Sequence, residues 1–270
     1  MILDVQGLAI AFERQDGSLR QAVHGLDLTL AAGQTLGIVG ESGSGKSATA
    51  LALIGLLPPS ARIEGRILFE GRDLLALSEP DWCALRGRHI GMIFQEPMTA
   101  LNPAMRIGAQ IAEGLVLHRG LDRKAAKAEA LRLLDRVRIP DAARRVDGFP
   151  HEMSGGQRQR VGIAIALACR PDLLIADEPT SALDVTVQAD ILDILDELVG
   201  ELGLALILIS HDLGVIGRIA DRTLVMYRGH AVEQGPTEQV LRRPENDYTR
   251  KLLAALPRRV RAGITAAEEP

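Results

Sequence analysis

Residues 40–47 read GESGSGKS, a glycine-rich run ending in lysine and serine that is typical of a phosphate-binding loop. Its glycines let the backbone adopt conformations that bulkier residues avoid, so that consecutive N–H groups can surround a polyphosphate. Lys46 supplies a mobile positive charge for the β- and γ-phosphates, and the Ser47 hydroxyl can bind Mg²⁺. The alternative is an ordinary turn, but the flanking apolar runs predict a strand before the loop and a helix after it. The predicted ligands are Gly40, Glu41, Ser42, Gly43, Ser44, Gly45, Lys46 and Ser47.

A second feature is the segment LLIADEP at 173–179, an apolar strand that ends in two acids. Asp177 and Glu178 would lie at the carboxyl end of a parallel strand, where ligands of open α/β sheets bind. Asp177 can hold Mg²⁺ through water, and Glu178 can deprotonate an attacking water, a contribution of roughly 10²- to 10⁴-fold. The alternative for Glu178 is a solvated charge at a strand end, which the phosphate-binding loop upstream makes less favoured.

Two further polar residues follow apolar segments. His211 comes directly after ALILIS and before Asp212, where a side chain could sense a γ-phosphate. Gln95 ends the segment IGMIFQ, and its amide could touch Mg²⁺ or the attacking water, although these residues alone leave that role open. We assign structural roles to the remaining histidines, which are His24, His89, His118, His151 and His230.

The segment HEMSGGQRQR at 151–160 contains a second glycine pair. Ser154, Gly155 and Gly156 precede the apolar run VGIAIALAC, so their N–H groups would lie at a helix N-terminus, an anion site without a lysine of its own. One chain therefore offers two half-sites for phosphate. If these half-sites are held apart within the chain, they can meet only across a symmetric, ATP-dependent dimer interface.

Composition describes a folded protein rather than a disordered one, with 270 residues, 47% hydrophobic and 24% charged. A formal net charge of −4 gives no reason to expect nucleic acid or an anionic membrane as the main partner. Cys83 and Cys169 lack metal-ligand spacing and are expected to be reduced thiols. The N-terminus lacks a signal-peptide pattern, and the apolar runs fall short of the ~20 residues needed to cross a bilayer, so we expect a cytoplasmic chain.

The predicted fold class is α/β, with a parallel-sheet P-loop NTPase core, an N-terminal antiparallel β subdomain and an inserted helical subdomain at about 96–159. Unbroken apolar runs predict buried parallel strands at 35–40, 173–177 and 204–210. Asp16-Gly17 and Ala32-Gly33 predict hairpins or tight turns near the N-terminus.

Asp122 can cap a helix whose apolar face holds Ala130, Leu133, Leu134 and Val137. A second helical face holds Ile191, Ile194, Leu195, Leu198, Val199 and Leu202. The tail after 257 is expected to be loosely ordered.

Together these residues resemble the ABC family of ATPases over roughly residues 1–240, leaving 241–270 as a short C-terminal extension. GESGSGKS resembles its Walker A motif, LLIADEP its Walker B, SGGQ at 154–157 its signature and SALD at 181–184 its D-loop. Gln95 resembles the Q-loop glutamine and His211 the switch histidine. The signature usually begins with leucine, whereas Met153 stands there in this chain, and both are apolar and unbranched at Cβ.

The resemblance implies that ATP and Mg²⁺ bind and that ATP is hydrolysed. It places Glu178, His211 and Gln95 in catalysis, and Ser47, Gln95 and Asp177 at the metal, the last through water. It adds Ser154, Gly155, Gly156, Gln157 and Asp184 to the nucleotide ligands. It also implies an aromatic residue stacked on adenine. Phe12 is the best candidate, against a packing role in the core or a hairpin.

A narrower resemblance is to the ATPase subunits of peptide and nickel importers, carried by IFQEPMTALNP at 93–103, GFPHEMSGGQRQR at 148–160 and NDYTRKLLAALP at 246–257. It implies a second ATPase subunit, related rather than identical, two transmembrane permease subunits that dock near 96–105, and an external substrate-binding protein. The chain would be peripheral at the cytoplasmic face of the inner membrane. The cargo would be peptides, with nickel or a metal chelate as the alternative.

Many members of that subfamily carry a cysteine-bearing extension that holds an iron–sulfur cluster. No cysteine follows Cys169 in this sequence, so we expect the short form without a cluster.

Two other classes of ATPase are less favoured. A DNA-repair or chromosome-structuring ATPase would place a long coiled coil between the phosphate loop and the signature, and residues 48–153 lack sustained heptads. A translation-type factor would carry two cassettes, and the sequence contains one set of motifs. We therefore expect a transporter subunit that does not bind nucleic acid.

Overall fold

The computed structural model describes residues 1–95, 100–181 and 183–256. The chain divides into two compact units: the first comprises Met1–Ser78 and the chain from Ala205 onward, and the second comprises Glu79–Leu204. The strands are β1 (Leu3–Glu13), β2 (Leu19–Leu30), β3 (Thr35–Val39), β4 (Ala61–Phe69), β5 (Arg72–Asp73), β6 (Ile90–Ile93), β7 (Leu173–Asp177), β8 (Ala205–Ser210), β9 (Arg222–Tyr227) and β10 (His230–Pro236).

The helices of the described residues, in chain order, are as follows: α1 (Lys46–Leu53), α2 (Glu79–Leu85), α3 (Ile107–Arg119), α4 (Arg123–Arg136), α5 (Ala142–Arg145), α6 (Gly155–Leu167), α7 (Val185–Leu202), α8 (Leu213–Ile219), α9 (Thr237–Arg242) and α10 (Asp247–Ala255). Short 3₁₀ turns lie at Leu74–Ala76 and Pro150–Glu152. None of the helices in the described ranges has the length and apolarity that crossing a membrane requires.

The first unit contains the predicted antiparallel sheet, with the strand order β2-β1-β4-β5. Asp16-Gly17 forms the hairpin between β1 and β2, where the Arg14 N–H donates to Ser18 O over 2.8 Å. Ala32-Gly33 forms a tight turn that leads from this sheet into β3. The sheet also includes β4 and β5, which the sequence analysis did not predict: β4 pairs with β1, and β5 pairs with β4.

A parallel layer forms the core of the first unit. Strand β3 pairs in parallel with β8 and β9, and β10 adds an antiparallel edge next to β9. Every residue of β3 and β8 is buried, which confirms the strands predicted from their unbroken apolar runs. Helix α8 packs closely on β3, because a Cβ at Gly37 would lie 2.4 Å from Ile216 Cγ2. This layer carries the phosphate loop at the end of β3.

Helix α1 is shorter than the apolar run ATALALIGLL indicates. It ends at Leu53, with Ile54 as its C-cap. The next residue, Gly55, has a φ of +63°, which an α-helix does not accommodate. The remaining apolar residues therefore continue outside the helix.

The second unit pairs β6 and β7 in parallel, from Ile90 opposite Leu173 to Ile93 opposite Ala176. All five residues of β7 are buried, as the sequence predicts. Between these strands lie α3 to α6, so the described part of the predicted helical subdomain is mainly helical. The boundaries proposed for that subdomain begin at 96, and residues 96–99 lie outside the described residues.

Both helix faces predicted in the second unit are buried. The Asp122 carboxylate caps α4 by accepting the Ala125 N–H over 2.8 Å, and Ala130, Leu133, Leu134 and Val137 are buried behind it. The inner face of α7 holds the predicted residues, of which Leu202 is half-buried and the others are buried: Ile191, Ile194, Leu195, Leu198 and Val199.

Candidate nucleotide-binding site

The glycines of the phosphate loop are required for different reasons. A Cβ at Gly40 would come within 2.1 Å of Met226 O in β9, so the loop backbone lies directly against the sheet. Gly45 has a φ of +101°, and a Cβ there would lie 2.6 Å from Ala22 O. Gly43 has open space around it but a φ of +79°, which favours glycine. Close packing therefore requires glycine at Gly40 and Gly45, and backbone conformation favours it at Gly43.

Lys46 lies at the first residue of α1 with only 4% of its surface exposed. Its ammonium donates to Gly40 O over 2.6 Å and to Glu41 O over 2.9 Å. The Ser44 hydroxyl is also buried, and it has no hydrogen-bond partner among the described residues. A buried cation, a buried hydroxyl without a partner and the N-terminus of α1 together fit a polyanion such as the phosphates of a nucleotide.

The candidate magnesium ligands supply the oxygen atoms that this ion prefers. Ser47 is the second residue of α1 and is half-buried beside the loop. In the second unit, Asp177 is the last residue of β7 and is 4% exposed. Each residue, taken by itself, offers an oxygen donor of the kind that binds Mg²⁺ in proteins.

The structure brings Gln95 and Glu178 together. The Gln95 amide donates to Glu178 Oε2 over 3.2 Å. Glu178 follows β7 with a φ of +46°, a conformation that is uncommon for a residue other than glycine and that turns the chain sharply after the strand. The Ser181 hydroxyl lies 3.2 Å from Gln95 O and 3.0 Å from Glu178 O, so it links the two segments. Sequence reasoning gave Ser181 no separate role, although it begins SALD.

Ser154 caps α6 in a reciprocal arrangement with Gln157. The Gln157 N–H donates to Ser154 Oγ over 3.3 Å, and the Ser154 N–H donates to Gln157 Oε1 over 3.1 Å. Gly156 is required by packing, because a Cβ there would lie 2.6 Å from Val187 Cγ1 of α7. At Gly155 the nearest atom to a Cβ is Leu183 Cδ2 at 3.6 Å, an ordinary contact. Met153 is buried, as an apolar residue at that position should be.

Several predicted site residues occupy well-defined positions in the secondary structure. His211 is exposed and follows β8 directly, and the Asp212 carboxylate caps α8 by accepting the Gly214 N–H over 2.7 Å. Asp184 caps α7 by accepting the Val187 N–H over 3.0 Å. Asp184 and Asp212 therefore act as helix caps, a structural role that the sequence analysis did not distinguish from a functional one. Ala182 of the predicted D-loop lies outside the described residues.

Phe12, the predicted adenine-stacking residue, lies in β1 of the antiparallel sheet. It is half-buried and pairs with Arg20 of β2 and Ala61 of β4. This strand pairing does not test whether Phe12 stacks on adenine, so that role stays a prediction.

A contact that sequence reasoning missed joins the C-terminal helix to the phosphate loop. The backbone N–H of Glu41 donates to the hydroxyl of Tyr248 in α10 over 3.1 Å. In the sequence, the only signal for this contact was the segment NDYTRKLLAALP. That segment supported the resemblance to importer ATPase subunits, but it gave Tyr248 no chemical role.

The family model described as ABC transporter matches residues 23–181. With the loop geometry and the α/β fold above, this shows that the chain belongs to the ABC transporter family, and it is an ATPase whose hydrolysis is coupled to transport. The oligopeptide transport ATP-binding protein OppD of Escherichia coli is 51% identical over 269 residues, covering 100% of this chain and 80% of that relative. OppD of Salmonella typhimurium is 53% identical over 258 residues, covering 96% and 77%.

Solved structures give the same family. The dimeric post-hydrolysis state of the ATP-binding cassette MJ0796, bound to ADP and phosphate, superposes with a TM-score of 0.78 at 26% identity, covering 87% of this chain and 98% of that one. The cbiO1 subunit of Clostridium perfringens, part of the transporter complex cbiONQ, gives a TM-score of 0.74 at 30% identity, covering 96% and 97%. These structures confirm the predicted fold class, and the family model with the OppD relatives confirms the resemblance to peptide importer ATPases.

Proposed function

We propose that this protein is the ATP-hydrolysing subunit of an ABC importer that takes up oligopeptides. The observation that carries the proposal is the phosphate loop, in which Lys46 is buried on loop carbonyls and Ser44 Oγ has no partner among the described residues. The names of relatives that are 51% and 53% identical favour peptides as the cargo over nickel.

ATP binds with its β- and γ-phosphates at residues 40–47, where the Lys46 ammonium and the backbone N–H groups offset the negative charge. Phe12 stacks on the adenine ring. Ser47, Gln95 and, through water, Asp177 would hold Mg²⁺. When bound, this ion neutralises charge on the β- and γ-phosphate oxygens.

Glu178 acts as the general base for hydrolysis. Its carboxylate takes a proton from water, the water oxygen bonds to the γ-phosphorus, and the bond from that phosphorus to the β–γ bridging oxygen breaks, releasing ADP and phosphate. The hydrogen bond from Gln95 to Glu178 Oε2 supports this role, because it orients the carboxylate. His211 contacts the γ-phosphate. Asp184, in the D-loop, lies at the interface between the two ATPase subunits.

The complete site forms between two ATPase subunits. Ser154, Gly155, Gly156 and Gln157 of one subunit bind the γ-phosphate that the partner's phosphate loop holds, with the helix dipole of α6 favouring the anion. ATP therefore has higher affinity for the closed pair, and hydrolysis reopens it. The MJ0796 cassette with bound ADP and phosphate is dimeric, which supports this arrangement. We propose a related ATPase subunit as the second copy.

Two permease subunits dock on the second unit, and an external binding protein delivers the cargo. A groove of about 620 Å³ between α3, α4 and the segment after α5 is lined by Met105, Ala109, Ala112, Val116 and Leu117, among others. Val116 is 43% and Leu117 72% exposed, so the groove offers apolar surface to a permease helix. The groove overlaps the predicted docking region 96–105 at Met105, and residues 96–99 lie outside the described residues. This docking places the chain at the cytoplasmic face of the inner membrane.

Reconstitution tests the proposed function. The chain, its partner ATPase and the two permeases are placed in vesicles with ATP, and uptake of labelled oligopeptides is compared with uptake of nickel chelates in the presence of the cognate binding protein. We expect ATP-dependent peptide uptake. Nickel-chelate uptake without peptide uptake would overturn the cargo assignment, and uptake independent of ATP would overturn the ATPase role.

A further inference from the structure

Tyr248 contacts Glu41 in the phosphate loop, and Glu41 in turn contacts Lys46, the residue proposed to bind phosphate. The Glu41 N–H donates to the Tyr248 hydroxyl over 3.1 Å. The carbonyl of the same residue accepts from the Lys46 ammonium over 2.9 Å and from the Ser44 N–H over 3.2 Å. One side of Glu41 is thus held by the C-terminal helix and the other by the phosphate loop.

Tyr248 is itself fixed on the sheet. The centroid of its ring lies 4.2 Å from the centroid of the Tyr227 ring, and the two ring planes meet at 33°. Tyr227 is the last residue of β9, and the preceding Met226 presents the carbonyl that lies against Gly40. The ring pair and the loop are therefore supported by the same strand end.

The start of α10 is also held in place. Asn246 caps the helix by accepting the Tyr248 N–H over 2.8 Å. The Glu233 carboxylate of β10 accepts the N–H groups of Glu245, over 2.7 Å, and Asn246, over 3.2 Å. Arg250 donates to Glu245 O over 2.9 Å. These bonds tie Glu245 and Asn246, which precede Tyr248, to β10 and to α10.

We propose that Tyr248 is a positioning residue for the phosphate loop. The inference rests on the proposed binding of ATP at this loop and adds a role for the C-terminal segment. In this proposal the Lys46 ammonium, which now donates to Glu41 O, turns to the phosphates when ATP binds. Tyr248 holds the Glu41 N–H throughout, so the loop keeps its shape when that bond is given up. A loop held in its binding conformation loses less entropy when nucleotide binds.

The test replaces Tyr248 by phenylalanine, which keeps the ring and removes the hydroxyl. Tyr227→Phe is the matched control, because it removes a hydroxyl from the same ring pair, and that hydroxyl makes no hydrogen bond with the described residues. Equilibrium binding of ATP to the full chain and amide hydrogen exchange of the peptide containing Glu41 are measured for each. In the complex with its partner subunits, KM for ATP and kcat are measured separately.

We expect Tyr248→Phe to weaken ATP binding about 2- to 12-fold, the loss of one hydrogen bond, and to raise KM while leaving kcat unchanged. Exchange at the Glu41 amide should become faster, and Tyr227→Phe should change none of these quantities. Unchanged affinity and exchange in Tyr248→Phe would overturn the inference, as would equal effects in both variants. A wild-type chain that binds no ATP would instead overturn the proposed function, and the exchange measurement would still show whether the contact exists.

Discussion

The side-chain amide of Gln95 donates a hydrogen bond to Glu178 Oε2 over 3.2 Å, and the Ser181 hydroxyl lies within hydrogen-bonding distance of the backbone carbonyls of both residues. Gln95 is thereby tied to the Glu178 carboxylate, and Ser181 joins the backbones of the two residues. Glu178 also has a φ of +46°, so its backbone is held in an uncommon conformation by these surroundings. This arrangement is what a fixed general base requires.

Replacing Glu178 by glutamine should reduce ATP hydrolysis by roughly 10²- to 10⁴-fold, because the general base is lost. The amide oxygen of the new residue can still accept from Gln95, so the local structure and ATP binding should persist. Phosphate release and ATP binding by the purified complex are the measurements. Glu197→Gln, at an exposed residue of α7 that pairs with Arg138, is the control. Undiminished hydrolysis by Glu178→Gln would refute the assignment.

Replacing Gly156 by alanine should destabilise the chain by about 1–3 kcal/mol, the usual cost of overpacking. The new Cβ would lie 2.6 Å from Val187 Cγ1, closer than carbon atoms pack. Adding Val187→Ala should restore part of the free energy of unfolding, which denaturant titration measures. Gly155→Ala is the control, since its Cβ would meet Leu183 Cδ2 at an ordinary 3.6 Å. Equal effects of the two alanines, with no recovery in the double variant, would contradict the packing argument.

Burial raises the pKa of the Tyr248 hydroxyl above its ordinary value of about 10. The neutral form is therefore favoured in the folded chain, so the contribution of this group to stability is present below its ordinary pKa and is lost as the pH rises through the raised value. The chain contains two tyrosines, so Tyr227→Phe leaves Tyr248 as the only one. Tyrosinate absorbance should rise at a higher pH in the folded variant than in the same variant unfolded by urea. Equal midpoints would contradict the burial effect.

The sequence predicted those parts of the fold and site that depend on short segments. The strands β3, β7 and β8 have unbroken apolar runs, and GESGSGKS combines its strand, loop and helix within a few residues. Asp122 was recognised as a cap because the capping pattern is local. The family's motifs then supplied roles that periodicity alone left open, as for Gln95 and His211.

The rest depends on contacts between distant parts of the chain. Glu41 and Tyr248 are 207 positions apart, so no local pattern relates them. The need for glycine at Gly156 arises from Val187 on another helix. The strands β4 and β5 were missed because β5 is only two residues long, and because the pairing of β4 with β1 and of β5 with β4 becomes visible only in the folded chain.

The central claim is that each ATP lies between the phosphate loop of one subunit and the Ser154 turn of the other. The direct test counts ATP molecules retained by the complex, with hydrolysis blocked and the partner ATPase unmutated, when this chain carries Lys46→Ala, Ser154→Arg or both. If the sites are shared, each single variant loses a different site, so either one retains one ATP and the double variant retains none. If each chain instead encloses its own nucleotide, the double variant will retain as much ATP as either single variant, and that result would contradict the account.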